Sequence, residues 1–490
     1  MLNNFIRTVS EFTTSGRRTR YSVPSTQYAV LALALAAMIF SHFACAADGL
    51  RPNIVFILAD DLGYGDVGCY GQKRIQTPNI DGIAKEGLRF TDFYAGCTVC
   101  APSRCVLMTG YHTGHAHIRG NAGRERPEIQ VLRESDVTVA EVLKKAGYAT
   151  ALCGKWGLGD EGTIGTPNKQ GFDYFFGYFN QFHAHNYYPA YLIKNEERYP
   201  LKNVVPGEGP FGSGVATKQV DYSADLITAE ALKWVEQHKD GPFLLYYSPT
   251  LPHANNEGGK NGMEVPDVGQ YANTDWPPQQ KAHAAMISRM DADVGRLMAL
   301  IKKLGIDNNT LVFFSSDNGP HREGGNEPDF NDSNGPLQGI KRDLTEGGIR
   351  VPFIARWPGK ITPSVSHSVG GFQDMMPTLA ELAGASNAVP KDIDGLSIVP
   401  TLLGEPSKQK QHEYLYWTFY ERGGGQAIRA GAWKAIQQPM DSSVRLYDLS
   451  KDLGEEHDVA AQHPDVVARL KAMMKAAYTP HPNGKMPGEK

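Results

Sequence analysis

The chain is predicted to be an α/β protein, with a large, mostly parallel sheet sandwiched by helices and a small C-terminal α+β domain built on an antiparallel sheet. Three observations carry that expectation. Apolar runs of strand length alternate with segments of helical period. A parallel pair needs a crossover long enough to hold a helix, so such alternation favours parallel pairing. Two of the apolar runs end in oxygen-bearing pairs, Asp60-Asp61 and Asp317-Asn318, and ligands of parallel sheets gather beyond the carboxyl ends of the strands. After Asp394 the texture changes to short runs separated by turns.

In chain order, Ile54–Ala59 is a buried strand running into the acidic loop. Thr77-Pro78 opens a helix to about Glu86, with Thr at the N-cap and Pro at the first helical position, where its missing N–H would have no partner anyway. Leu88–Ala95 returns as a strand, Thr138–Ala146 as a helix and Ala149–Cys153 as a short strand. Tyr222–His238 is helical, and Phe243–Tyr247 is a strand. Met286, Met290, Val294, Leu297 and Ile301 mark one face of a long helix, and Leu311–Ser315 is the next buried strand. Gly404-Glu405-Pro406 and Lys408–Gln411 read as a linker. Tyr414–Phe419, Gln426–Arg429, Trp433–Ile436 and Arg445–Leu449 then form the small antiparallel sheet, and a helix from about Pro464 to Ala477 closes the chain. The expected division is residues 1–46, 47–400 and 401–490.

The first of these segments has its own character. Tyr28–Phe40 is an uncharged apolar run, preceded by Arg17, Arg18 and Arg20 and followed by Ala44-Cys45-Ala46. A basic flank, a short apolar stretch and a small-residue A-x-A end make the pattern of a signal peptide, and the run is too short to span a bilayer comfortably. The mature protein is therefore expected to be exported by the cell's export machinery and to be periplasmic or secreted, with a lipid anchor on Cys45 as the second choice. Over all 490 residues, 41% are hydrophobic and 21% charged, which excludes a disordered or collagenous chain. Lys+Arg of 49 against Asp+Glu of 53 gives −4 with no strongly basic half, so no groove for nucleic acid is expected. Six cysteines are too few for a disulfide scaffold.

Asp60, Asp61, Asp317 and Asn318 place three carboxylates and a carboxamide at two strand ends. With no Cys or His beside them, they suit a hard cation such as calcium or magnesium. Adjacent carboxylates repel each other, so the Asp60-Asp61 pair in a cleft calls for a cation between them. The sharpest feature is Cys100-Ala101-Pro102-Ser103-Arg104, continuing through Leu107-Met108-Thr109-Gly110. Pro102 at a helix start would leave Cys100 just ahead of the N-terminal amides, where an anion is favoured. Arg104, one turn in, could reach the same anion. Cys100 could equally be a buried structural thiol or a reactive one.

Cys100-x-Pro102-Ser103-Arg104 followed by Thr109-Gly110 resembles the sulfatase signature in its cysteine form. The resemblance extends to Pro52-Asn53-Ile54 through Asp66, Thr77-Pro78-Asn79-Ile80-Asp81, Gly154-Lys155-Trp156, Pro252-His253, Ser316-Asp317-Asn318-Gly319 and Glu346-Gly347-Gly348-Ile349-Arg350-Val351-Pro352, in that order. It covers roughly residues 50 to 360 and is highly specific, because the separated motifs agree in sequence order. It implies an alkaline-phosphatase-like fold and an arylsulfatase-like hydrolase acting on aryl or carbohydrate sulfate esters. It further implies that a formylglycine-generating or sulfatase-maturating enzyme oxidises Cys100 to formylglycine, whose hydrate attacks sulfur. By position, Asp60, Asp61, Asp317 and Asn318, with the group at residue 100, would bind calcium, magnesium being the second choice. Arg104, Lys155 and Lys341 would neutralise charge on sulfate oxygens. His253 would contact sulfate or serve as acid toward the leaving alcohol. The partner is then a sulfated small molecule or glycan.

One departure stands out. The family commonly reads Gly-Lys-Trp-His-Leu-Gly where this chain reads Gly154-Lys155-Trp156-Gly157-Leu158-Gly159, and the missing histidine is the one credited with hydrogen-bonding the diol. Other imidazoles are at hand in His112, His115, His117, His183 and His185; His115 is expected to take over part of that role, because it follows the nucleophile helix closely. The aromatic run Tyr174–Tyr188 reads equally as a ring-stacking surface and as loop packing. Alternatives are a phosphomonoester or phosphonate hydrolase of the same superfamily, or a non-catalytic sulfoglycan-binding relative. Cys69, Cys97, Cys105 and Cys153 permit disulfides, and a Cys97–Cys105 bridge would brace the signature.

Overall fold

Asn53–Ala59 is buried along its whole length, as a strand covered on both faces must be. Ile54, Phe56 and Leu58 enter one core, whereas Val55, Ile57 and Ala59 enter the other. Alternate side chains of a strand point to opposite faces, so one strand feeds two cores. The computed structural model describes residues 51–122 and 127–481; the expected signal peptide, with Tyr28–Phe40 and Cys45, lies outside them. Among the described residues no helix is long and apolar enough to cross a membrane.

The strands are β1 (Asn53–Ala59), β2 (Leu88–Phe90), β3 (Phe93–Tyr94), β4 (Ala149–Lys155), β5 (Tyr174–Tyr178), β6 (Tyr191–Lys194), β7 (Glu197–Pro200), β8 (Phe243–Ser248), β9 (Thr310–Ser316), β10 (Phe353–Arg356), β11 (Ser364–Ser366) and β12 (Gly370–Gly371). They are followed by β13 (Leu415–Phe419), β14 (Gly425–Ala430), β15 (Trp433–Gln437) and β16 (Arg445–Asp448). The longer helices are α1 (Pro78–Lys85), α2 (Cys100–Thr109), α3 (Val139–Lys145), α4 (Ser223–His238), α5 (Pro278–Lys303), α6 (Met375–Leu382) and α7 (Pro464–Ala476).

Ten strands form the large sheet in the order β11-β2-β10-β9-β1-β8-β4-β5-β6-β7. The five in the middle, from β9 to β5, are all parallel. β10 and β6 run against their neighbours, so the sheet is mixed toward both edges. Helices α2, α3 and α6 pack on one face through residues such as Val106, Leu143 and Leu379. Helices α1, α4 and α5 cover the other through Ile83, Trp234 and the Met286, Met290, Val294, Leu297, Ile301 face. One expected strand is divided: Leu88–Ala95 breaks at Thr91-Asp92 into β2, in the large sheet, and β3, which pairs with β12. The break lets Asp92 face Arg350 and Arg429, a polar demand that the apolar pattern of the run does not reveal.

β13–β16 form the expected four-stranded antiparallel sheet. Leu415, Trp417, Phe419 and Ile436 pack against Tyr94, Cys97, Val99 and Ile349 of the large body. On its other face Tyr416, Ile428 and Leu446 pack against Leu470 and Met474 of α7. The small sheet thus lies between α7 and the segment that leads into α2. A buried ion cluster pins it there. Lys434 on β15 bridges Glu346 and Glu455 at 2.8 and 2.9 Å, with all three side chains sealed from solvent.

Candidate active site

The four middle strands β9, β1, β8 and β4 are parallel, so their carboxyl ends bring four loops to one place. β9 delivers Asp317-Asn318, β1 delivers Asp60-Asp61, β8 ends at Ser248 ahead of His253, and β4 ends at Lys155 itself. The two oxygen-rich loops are laced together. Asp317 N–H donates to the Ala59 carbonyl at 3.1 Å, Leu62 N–H to Ser316 Oγ at 2.9 Å, and Asn318 Nδ2 to Asp61 Oδ1 at 2.7 Å. Asp61 sits at φ +64°, a left-handed conformation that a residue with a Cβ rarely adopts. In that conformation its N–H donates to Asp317 Oδ1 at 3.0 Å.

Three cations buried with these carboxylates hold them. Arg104 donates through Nε and Nη2 to Asp317 Oδ2 at 3.0 and 2.8 Å, and through Nη1 to Ser248 Oγ at 2.6 Å and the Lys155 carbonyl at 2.8 Å. Lys155 Nζ donates to Asp60 Oδ2 at 2.7 Å. Lys341 Nζ donates to Asp61 Oδ2 and Glu323 Oε2, each at 2.8 Å, and to His253 Nε2 at 3.1 Å. Three aspartates against three cations is a neutral set, yet it is not a satisfied one. Asp60 Oδ1 and Asn318 Oδ1 are buried without a hydrogen-bond partner. Burial, and then the neighbouring Asp60, push Asp317 up to about 7 despite its two-pronged contact with Arg104. Burial also pushes Asp61 up, but Lys341 and His253 outweigh it and hold that carboxyl below the ordinary range.

Cys100 joins this cluster, with its Sγ and one ligand atom each of Asp60, Asp61 and His253 within 4.8 Å of one another. It is the first residue of α2 itself, not just ahead of the helix, because Val99 takes the extended N-cap conformation two residues earlier than Pro102 implied. Asn121 Oδ1 accepts the N–H of Ala101 at 3.0 Å. Cys100 is 3% exposed, and burial pushes its thiol up to about 12. It stays protonated at neutral pH, so a plain thiolate nucleophile is disfavoured. Among the described residues the other thiols are also free: Cys69, Cys97, Cys105 and Cys153 form no disulfide. The Cys97–Cys105 bridge is therefore not made, and Cys97 Sγ instead donates to the Thr418 carbonyl of the small sheet at 3.3 Å.

His253 is brought to the site, but its acid role is not supported by its contacts. Nδ1 lies 2.7 Å from the Ala254 carbonyl and so carries hydrogen, which leaves Nε2 to accept from Lys341. Burial first, and then Lys341, lower its pKa well below the usual value. Sequence reasoning missed Ser248 and Glu323. Neither stands in a motif; each is found only through the cation it holds, and Glu323 also accepts from Arg342 at 2.6 Å.

His115 is not brought to the site. It follows the far end of α2, whose ten residues span about 15 Å. There its Nδ1 pairs with Asp394 at 2.9 Å, and its ring stacks on His112. Closeness in sequence failed because a helix carries its two ends apart. The space that a side chain at residue 157 would enter is filled from elsewhere. Gly157 has φ +83°, and a Cβ there would lie 2.7 Å from Gln181 Nε2. Both amide atoms of Gln181 are buried without a hydrogen-bond partner. Gly157→His is accordingly expected to lower activity at least tenfold and to reduce stability, through backbone strain and collision with Gln181, and not to improve the enzyme. Steady-state rates and a thermal melt of the variant check this. Of the run Tyr174–Tyr188, Phe175, Phe176, Tyr178 and Tyr187 are core side chains. Loop packing accounts for most of it, and His185 is the exception, stacked on His253.

Residues 52–385 match the family model "Sulfatase", and residues 340–479 match "N-sulphoglucosamine sulphohydrolase, C-terminal". The chain is 34% identical over 503 residues to arylsulfatase A of Homo sapiens, covering 89% of this chain and 91% of that one. It is 31% identical over 503 residues to the N-acetylgalactosamine-6-O-sulfatase of Bacteroides thetaiotaomicron, covering 88% and 93%. Among solved structures, Ps i-CgsB in complex with k-i-k-neocarrahexaose superposes with a TM-score of 0.71 at 27% identity, covering 89% of this chain and 94% of that one. The fold, the strand-end cluster and these matches agree, and the chain belongs to the sulfatase family of the alkaline phosphatase superfamily and is a sulfuric ester hydrolase.

Proposed function

We propose that this sulfatase works through formylglycine made from Cys100 and a calcium ion held by Asp60, Asp61, Asp317 and Asn318, on sulfate esters of carbohydrates outside the cytoplasm. The observation that carries the reading is the pair of partnerless buried oxygens, Asp60 Oδ1 and Asn318 Oδ1, among carboxylates. Hard oxygen donors on a buried, charge-neutral set fit a divalent cation of the calcium type. A cation of charge +2 would leave the inner set at about +2, complementary to a sulfate ester. When present, calcium supplies Lewis-acid polarisation and formylglycine supplies an oxygen nucleophile. The protein's own residues do the rest. Arg104, fixed by Asp317 and Ser248, keeps its charge beside residue 100. Lys155 and Lys341 point ammonium groups into the same pocket, where they neutralise charge on sulfate oxygens. Near-complete burial excludes water and strengthens each of these contacts.

The sugar-sulfatase names of the relatives support a carbohydrate ester, and the basic-apolar-small N-terminal pattern supports export. The reading also requires a formylglycine-generating or sulfatase-maturating enzyme as a partner during synthesis. Mass spectrometry of the peptide containing residue 100 is expected to find the aldehyde or its hydrate in place of the thiol in active enzyme. Chelation should bring turnover to background, with recovery on adding calcium. Fully active enzyme that carries unmodified Cys100, or that keeps its rate after exhaustive chelation, would overturn the reading.

A further inference from the structure

A fourth cation stands just outside the three of the cluster, on a backbone conformation that its residue type resists. Arg342 has φ +81°, in the left-handed region that side chains disfavour and that gathers at ligand clamps. Its N–H donates to the carbonyl of Thr98, two residues ahead of Cys100, at 3.0 Å, and its own carbonyl accepts from Gln438 Nε2 at 2.8 Å. A shared carboxylate fixes the guanidinium against the site. Glu323 accepts Arg342 Nη1 through Oε1 at 2.6 Å and Lys341 Nζ through Oε2 at 2.8 Å. Glu421, from the turn between β13 and β14, accepts Arg342 Nε through Oε2 at 3.3 Å. Side-chain exposure rises from 3% at Lys341 to 20% at Arg342 and 29% at Glu421, so the three lead from the cluster toward solvent. The pair is left open on both sides. Glu421 Oε1 is buried without a hydrogen-bond partner, and among the described residues Arg342 Nη2 makes no hydrogen bond. Gly423 and Gly424 lie in the left-handed region of the turn that carries Glu421, where small adjustments of the backbone cost little.

We infer that Arg342 and Glu421 clamp a free hydroxyl of the sugar ring beside the sulfated position, and so select the alcohol half of the substrate. This deepens the reading of the site as a carbohydrate sulfatase and rests on it. The sulfate group is drawn to the buried cations, so the ring that carries it lies on the solvent side of Lys341, where Arg342 and Glu421 stand. A hydroxyl both donates and accepts. It donates to Glu421 Oε1 and accepts from Arg342 Nη2, and hydrogen bonds to ionised groups are the stronger kind. The charges favour a neutral group over a second anion. Arg342 is already met by two carboxylates, one of which it shares with Lys341. The rim therefore has no spare positive charge for a second sulfate or a sugar carboxylate, and Glu421 repels either.

Matured, full-length enzyme is assayed on the monosulfated isomers of galactose, N-acetylgalactosamine and N-acetylglucosamine. The isomer turned over fastest is then compared with analogues in which each hydroxyl flanking the ester is replaced by hydrogen. One of these is expected to lose about 100-fold or more in kcat/KM, because a missing hydroxyl leaves the groups built to bind it unpaired. Glu421→Gln keeps the volume and removes the charged acceptor. It should shrink that discrimination by about tenfold or more, through a lower rate on the complete sugar. Arg342→Lys keeps a positive charge beside Glu323 but has no second nitrogen to offer. It should shrink the discrimination likewise, and it guards against misfolding of the first variant, with thermal melts of both as the check. Discrimination left unchanged in either folded variant, or an unaltered enzyme indifferent to every deoxy analogue, would overturn the assignment. No turnover of any sulfated sugar by the unaltered matured enzyme would instead overturn the carbohydrate reading on which it rests.

Discussion

Asp317→Ala is expected to take both bound metal and turnover to background and to destabilise the protein by about 3–5 kcal/mol. The two losses have different causes. The carboxylate is shared between the Asp61 amide, Arg104 and the oxygen cluster. Removing it deletes a proposed ligand, and it also leaves the Arg104 guanidinium, fully buried, with only Ser248, the Lys155 carbonyl and a distant Asp60 oxygen at 3.7 Å. An uncompensated buried charge is what makes breaking such a pair costly. Asp317→Asn separates the causes. It preserves volume, and its carbonyl oxygen can still accept from Arg104, so stability should recover by more than half while turnover stays at least about 1000-fold down. Metal content by elemental analysis, kcat/KM and a denaturant melt check the three quantities together. An active, metal-replete Asp317→Ala protein would remove this residue from the ligand set.

The second large effect is expected far from the chemistry. Lys434→Ala should destabilise the chain by about 3–5 kcal/mol, read as a lowered denaturation midpoint with unchanged slope. Lys434 is the cation between Glu346 and Glu455, and all three are sealed from water. Burial pushes the Glu346 carboxyl up, but Arg350, Lys434 and Arg429 together outweigh it and hold it well below the usual range. Glu455, with fewer cations near it, is pushed up by burial. Without Lys434 both carboxylates face each other in a dry interface. Glu455→Gln added to Lys434→Met is expected to recover part of the loss, because the two groups act as one network. Additive losses in the double variant would show that the network is not a unit.

The parts of the fold legible in the sequence were those governed by local pattern. β1, β8 and β9 announce themselves because a strand buried on both faces is apolar throughout. α5 does so because its buried face repeats at helical spacing. The metal-type cluster was legible because carboxylates that repel each other were adjacent in sequence. What stayed hidden depended on distant partners. Glu323 and Ser248 stand in no motif and matter only through the buried cation each meets. Gln181 occupies the space beside Gly157 from 24 residues away, across the β4–β5 pair. His115 and His185 illustrate both sides of this. The first is near Cys100 in sequence and remote from it in space, whereas the second is 85 residues away and stacks on a site residue. The division of Leu88–Ala95 was invisible for the same reason, since Arg429, which meets Asp92, comes from the far end of the chain.

The burial of Cys100 also constrains timing. A thiol that is 3% exposed, at the start of a helix whose ten residues are all buried, offers no approach to a second protein. On the proposed chemistry, the oxidation that creates the nucleophile must then take place on the nascent or unfolded chain. Every molecule runs a race between maturation and collapse, and those that collapse first are locked out for the lifetime of the native state. Specific activity would thus record the relative speeds of two processes during synthesis, and a sequence change that merely hastened folding could lower it without touching the site.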